Sequence, residues 1–131
     1  MLLYCPAYIV LICLFISLLA IQVSALRWKF KIPCKDGGNE LLARARSAHS
    51  MMLEFSVVYM PLLICGELMG ASNKWIAYTS LVFLVGRVCH TSGLMTTTGF
   101  SAMRGIGVAL SHGASAAWMA KIGFTLFTIS S

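Results

Sequence analysis

Acidic residues are scarce in this chain. Asp36, Glu40, Glu54 and Glu67 are all it has, and charged residues of both signs fill only 11% of its 131 positions. A soluble domain ordinarily carries about a quarter of its residues as charges, so that class is excluded. With 59% hydrophobic residues and a mean hydropathy of +0.85, the solvent is lipid. Any CxxC spacing is also missing from the five cysteines (Cys5, Cys13, Cys34, Cys65, Cys89), which are scattered and odd in number. Neither a disulfide framework nor a zinc site is indicated, and these residues read as small apolar packing groups. His49, His90 and His112 share no metal-ligand spacing, so no metal is expected.

A net charge of +6 would suit nucleic acid, but six of the ten cations fall between Arg27 and Arg46, beside a hydrophobic stretch. That clustering is a membrane topology signal, and no nucleic-acid partner is expected.

What the chain has in abundance is long apolar blocks. No charge occurs for 25 positions from 2 to 26, enough to cross a hydrocarbon core of ~30 Å at ~1.5 Å per residue. Val23-Ser24-Ala25 resembles a signal-peptidase site, yet the preceding stretch is too long for a signal and lacks a basic start. Further spans are expected over 48–69, 75–94 and 105–129. The reading is one all-α domain over 1–131, an integral membrane four-helix bundle.

The linker from Arg27 to Arg46 sets Arg27, Lys29, Lys31, Lys35, Arg44 and Arg46 against Asp36 and Glu40, with turns at Pro33 and Gly37-Gly38. It is expected outside the bilayer. The first and third loops hold these cations and Arg104, the second only Lys74. The positive-inside rule therefore puts the basic first loop in the cytoplasm and both termini outside. Trp28 and Trp75, at span ends, read as interfacial anchors. Gly107, Ser111 and Ser115 recur at four-residue spacing, which lets helix backbones approach closely, and Pro61 is expected to kink the second helix.

Charges inside spans cost about 2.5 to 3.5 kcal/mol each on insertion scales and are default candidates for function. Glu67 and Lys121 lie near outer helix ends and can snorkel to the interface. Glu54 lies ~9 Å and Arg87 ~10 Å below the cytoplasmic surface, so the two are expected to be partners. His90 follows Arg87 at i+3, His112 falls in the same layer, Arg46 stands two turns above Glu54, and Arg104 opens the fourth span. Read as a site, this layer suits an anionic, amphiphilic ligand, because arginine forks grip carboxylates and Glu54 can accept from an amine. Read as structure, Glu54 and Arg87 are an interhelical clamp. A proton-coupled exporter is disfavoured, since the first span has no carboxylate.

Several runs resemble the membrane-associated proteins in eicosanoid and glutathione metabolism (MAPEG), especially the small bacterial branch. They are Asp36-Gly37-Gly38 with Glu40-Leu41, then Ala48-His49 and Glu54 with Pro61 beyond, and most sharply Phe83-Leu84-Val85-Gly86-Arg87-Val88-Cys89-His90. The resemblance implies a homotrimer in the bacterial inner membrane, with glutathione as co-substrate held between subunits near the cytoplasmic side. It implies glutathione contacts from Glu54, Arg87, His90, His49, Arg46 and Arg104, with Arg104 first and Arg87 second as the catalytic cation. The implied activity is a glutathione-dependent transferase or peroxidase acting on a lipophilic small molecule or lipid. The alternative is a non-catalytic lipid-binding or scaffold protein of the same fold. Where the family's second helix reads Arg-Ala-His-x-Asn-x-x-Glu, this chain reads Ser47-Ala48-His49-Ser50-Met51-Met52-Leu53-Glu54. Ser92 and Leu94 stand where a tyrosine usually follows the third-helix histidine.

Overall fold

The computed structural model describes residues 4–97 and 99–130, so residues 2 and 3 of the expected first span lie outside it. Four α-helices follow one another: α1 Tyr4–Phe30, α2 Glu40–Leu68, α3 Asn73–Thr96 and α4 Ala102–Ser130. No strand occurs among the described residues.

The helices begin and end for local reasons. Asn39 caps α2 by accepting from the Leu42 amide at 3.0 Å, and Ser72 caps α3 by accepting from the Trp75 amide at 3.4 Å. α2 stops at a left-handed glycine: Gly70 has φ +80°, its amide donates to Glu67 O, and the Ala71 amide donates to Gly66 O. This paired closure satisfies carbonyls that the helix end would leave bare. Pro61 sits inside α2 without dividing it.

The second helix starts eight residues before the expected span, and α1 runs four residues past its own. Arg27, Lys29, Arg44 and Arg46 are therefore helical rather than part of an irregular linker. Being helical, Glu40 and Arg44 meet at i,i+4, with Nη2 of Arg44 3.2 Å from a Glu40 oxygen. The connection proper is only 31–39.

α1 is attached by a thin seam. Cys5, Ile12 and Leu19, seven residues apart, are its buried positions, while Val10, Leu14, Leu18 and Ile21 are exposed. Large apolar side chains are exposed on all four helices, the pattern of a bundle whose outer solvent is hydrocarbon. α1 and α2 are long and apolar enough to cross a membrane. The buried faces of α3 and α4 are more polar, with Thr79, Ser80, Arg87, His90 and Thr91 on one and Ser111 and Ser115 on the other.

α3 and α4 form the closest pair, and the small residues explain it. A methyl group added at Gly86 would meet Ser111 Oγ at 2.8 Å and the Gly107 carbonyl at 2.9 Å. One added at Gly107 would strike the backbone of Gly86 and His90, so only hydrogen fits at either place. Around this pair packs the apolar core, including Ile12, Met52, Leu63, Ile76, Phe83 and Trp118. Trp75 is not a simple anchor: it meets Trp118 edge-on at 6.2 Å between ring centroids, and Lys121 Nζ lies 5.3 Å from its ring. Trp28 is 86% exposed, as an anchor should be.

Candidate functional site

Glu54, His90 and His112 come together in one cavity of about 460 Å³ between α2, α3 and α4. Met51, Phe55, Val58, Val108 and Ser115 complete its walls, so the lining is mostly apolar with three titratable groups set into it. Three of the four residues expected at this depth line one cavity and Arg87 does not; the ring that touches both histidines and Arg87 is Phe55, which charge-based reading passed over. The Phe55 ring lies 4.8 Å from His112, 6.4 Å from His90 and 4.2 Å from the Arg87 guanidinium carbon. An aromatic directly after the carboxylate expected within the span was the available signal, because guanidinium groups favour aromatic faces.

Glu54 and Arg87 are not partners. Among the described residues the one ion pair is Arg44 with Glu40. The Glu54 carboxylate accepts from Ser50 Oγ at 3.0 Å, at an exposed position. Arg87 is fully buried, stacked on Phe55, with Nη1 donating to Ser111 Oγ at 3.4 Å. Matched depth did not imply matched direction, since the Phe55 ring takes the face of the guanidinium. Nε and Nη2 of Arg87 are buried and unpartnered.

His90 is 3% exposed. Its Nδ1 lies 3.3 Å from the carbonyl oxygen of Arg104, and its Nε2 is buried with no partner. The contact depends on the close α3–α4 approach. Gly107 packs on the His90 backbone, and Gly93 faces Arg104 Cγ.

The remaining expected site residues lie elsewhere in the single chain. Arg46 and His49 line a cleft of about 550 Å³ with Arg27, Asp36, Ser50 and Leu53, between the end of α1 and the start of α2. Eight residues at ~100° each leave Arg46 roughly 80° around the helix from Glu54, so the two serve different faces. Arg27 is a cation of this cleft that the expected site did not include. Arg104 lines a third, smaller cleft of about 220 Å³ with Glu40, Arg44, Ser47, Leu94 and Thr97, and its Nη1 donates to the Gly99 carbonyl at 2.9 Å. The expected site residues are thus divided among three spaces in the single chain, and Arg87 lines none of them. Among the described residues no group of three or more His, Cys, Asp or Glu side chains is placed to hold a metal ion.

Ser47 and Leu94, two of the positions that depart from the family pattern, both line the Arg104 cleft. Met51 lines the Glu54 cavity. Smaller or less polar groups therefore stand at the walls where ligand contacts were expected.

A comparison with protein families finds that the MAPEG family model matches residues 5–124. The match runs through all four helices and every candidate residue named above. No curated protein matches the chain.

Proposed function

This chain belongs to the MAPEG family, and we propose that it is a glutathione-dependent transferase or peroxidase acting on lipophilic electrophiles. The observation that carries the reading is the set of buried polar atoms without partners on the two residues packed around Phe55: Arg87 Nε and Nη2, and His90 Nε2. A buried donor or acceptor without a partner costs about 1–3 kcal/mol, more when charged. The Phe55 ring that covers Arg87 also walls the cavity, which supports an occupant that satisfies these atoms. Glutathione fits the donor set, offering carboxylates for guanidinium groups, an ammonium for Glu54 and a thiol.

In this reading the family fold is a membrane protein of one domain with all four helices as spans, the basic first loop cytoplasmic and both termini outside. Three copies assemble, and the clefts holding Arg46 with His49 and Arg104 with Arg44 are completed by neighbouring subunits. Glu54 holds the glutathione amino end, and Arg87 and His90 line its path. Arg104, with Arg87 second, supplies the cation that favours thiolate over thiol below the ordinary thiol pKa of ~8.5. The apolar lining of Met51, Val58 and Val108 receives the lipophilic partner.

A second reading, a non-catalytic lipid-binding or scaffold protein, is favoured by one observation: Ser47, Met51, Ser92 and Leu94 replace usual ligand contacts. The two readings separate on adding glutathione to the detergent-purified protein while following near-ultraviolet thiolate absorbance across pH. The enzyme reading expects a thiolate signal at neutral pH and weaker binding in Glu54→Ala and Arg87→Ala. Absence of both signal and binding gives the scaffold reading; unchanged affinity in both variants moves the site.

A further inference from the structure

We infer that the end of α1 is a binding site for the headgroup of an anionic phospholipid, formed by Arg27, Trp28 and Lys31, with the acyl chains laid along the outer face of the helix. It shares no residue with the Glu54 cavity and needs no glutathione.

The site is a recess with a fixed frame. Arg27, Trp28, Lys31, Ile32 and Pro33 surround a cavity of about 500 Å³ where α1 gives way to the connection 31–39. Arg27 also borders the Arg46 cleft, whereas Trp28 and Lys31 do not. The Ile32 amide donates to Arg27 O at 3.1 Å and the Lys31 amide to Trp28 O at 3.3 Å, while Arg27 Nη1 donates back to Ile32 O at 3.4 Å. Ile32 in turn packs on Gly37, where an added methyl would meet its side chain at 3.1 Å.

This closure ends a helix on a left-handed residue, and glycine is its usual occupant. α2 uses Gly70 in the same way, but α1 uses Lys31, with φ +55°. A side chain at that position strains the backbone as glycine does not. Among the described residues, the non-glycine residues in the left-handed region are Lys31 and Lys35, the latter with φ +52°. Strain kept twice for a cation in one connection points to a use for the charge.

The group that these cations lack is an anion. Lys29, Lys31 and Lys35 are exposed. The acids at this end are engaged elsewhere: Glu40 pairs with Arg44, and Asp36 Oδ1 accepts from the Gly38 amide in a residue that lines the Arg46 cleft. A second copy of the chain brings the same net charge of +6 and no spare acid here. A phosphodiester supplies the acceptor oxygens that guanidinium and ammonium groups take. With no acid beside the recess, the ammonium of a zwitterionic headgroup finds no counter-charge, so an anionic lipid is preferred.

α1 also provides for the chains. Leu14, Ile21 and Trp28, seven residues apart, are 54%, 64% and 86% exposed. They stand two residues, or ~200°, from the buried seam of Cys5, Ile12 and Leu19, and so run along the opposite face. This apolar stripe leads to the recess, and the cations begin at Arg27, directly after the uncharged block 2–26, at the level of headgroups.

The test uses the full chain reconstituted in phosphatidylcholine vesicles, with brominated-chain phosphatidylglycerol or brominated-chain phosphatidylcholine as the probe, since bromine quenches a tryptophan that it touches. The Trp28 share of the emission is the difference between wild type and Trp28→Phe. Half-quenching of that share is expected at about a tenfold lower mole fraction of the anionic lipid, the effect of two cations at a membrane surface. Lys31→Gly should lower this preference about fivefold. Freed of the left-handed side chain, the same variant should melt about 3 °C higher in lipid-free detergent. Lys31→Asn, which tolerates the left-handed region, should lose the preference equally and serves if the glycine variant folds poorly. Millimolar glycerol 3-phosphate should leave the quenching unchanged, because it lacks the chains that α1 holds. Equal quenching by the two lipids, or stronger quenching by the choline lipid through the indole face, reduces Trp28 to an interfacial anchor and overturns the inference. Displacement by glycerol 3-phosphate, or an unchanged preference in both Lys31 variants, also overturns it. So does an absence of quenching by either lipid, which would place a second copy of the chain over this face.

Discussion

Phe55 and Tyr59 sit one turn apart on α2, each an aromatic ring packed against polar residues of a neighbouring helix, and they are treated in opposite ways. Tyr59 is fully buried, stacks on Phe83 with ring centroids 4.0 Å apart, and shares a 3.1 Å hydrogen bond with Ser80. Its polar atom is matched where it lies. Phe55 covers Arg87 and touches His112 but has no polar atom to give, and Arg87 Nε, Arg87 Nη2 and His90 Nε2 go without partners. One turn of α2 therefore separates a ring whose own polar atom is matched from one that covers unmatched atoms of its neighbours. Helix cohesion needs only the first arrangement. The second lowers stability, and the proposed ligand would offset that cost.

The comparison breaks most readily at the α3–α4 seam on which the Phe55 region depends. Gly107→Leu forces a side chain into the backbone of Gly86 and His90. Overpacking of this kind costs about 3 kcal/mol or more, and thermal unfolding in detergent should show a large drop together with loss of glutathione binding. Arg87→Met is the next largest and separates stability from function. Replacing a buried charge with a well-packed apolar side chain is often neutral or stabilising by about 1–4 kcal/mol. The variant should unfold at an equal or higher temperature, while glutathione affinity falls by about tenfold or more, the equivalent of one charged hydrogen bond. A drop in both would mark Arg87 as structural glue.

Phe55→Leu is milder. It removes the cation–π contact, worth about 1–2 kcal/mol when desolvated, and leaves the Arg87 hydrogen bond to Ser111 in place. Melting should fall modestly. If Phe55 only shields the guanidinium, glutathione binding measured by calorimetry is kept or improved, because the occupant then reaches Arg87 without displacing an aromatic ring.

The helix count and the polar layer were legible because both are written in one dimension. An apolar block long enough to span lipid is a property of consecutive residues, and depth follows from counting along a helix. Direction around the axis was less secure. Arg46 stands two turns above Glu54, yet the rotation accumulated over eight residues puts it on the Arg27 cleft rather than the Glu54 cavity. The pairing of Glu54 with Arg87 failed for another reason: charge attracts charge only if no other surface takes the guanidinium first, and Phe55 does. Gly107 and Ser111 were recognised as a packing stripe. What the sequence did not disclose is that the stripe brings a carbonyl of Arg104 to the imidazole of His90. That contact joins residues fourteen apart on two helices, and no local pattern encodes it.

The smallest expected effect is also the control for all the others. Tyr59→Phe keeps the ring on Phe83 and removes only the hydroxyl that meets Ser80 Oγ. Ser80 is fully buried, so its hydroxyl loses a partner, and the cost is about 1 kcal/mol. Unfolding should shift by a few degrees, and glutathione affinity should not move, since neither Tyr59 nor Ser80 lines the cavity. Adding the hydroxyl to the other ring reverses the logic. Phe55→Tyr would place a polar atom among unpartnered ones, and a gain in stability accompanied by weaker glutathione binding would show the protein filling its own site. If Tyr59→Phe instead weakens binding as much as Arg87→Met does, the two turns of α2 are one coupled region and the division between them is wrong.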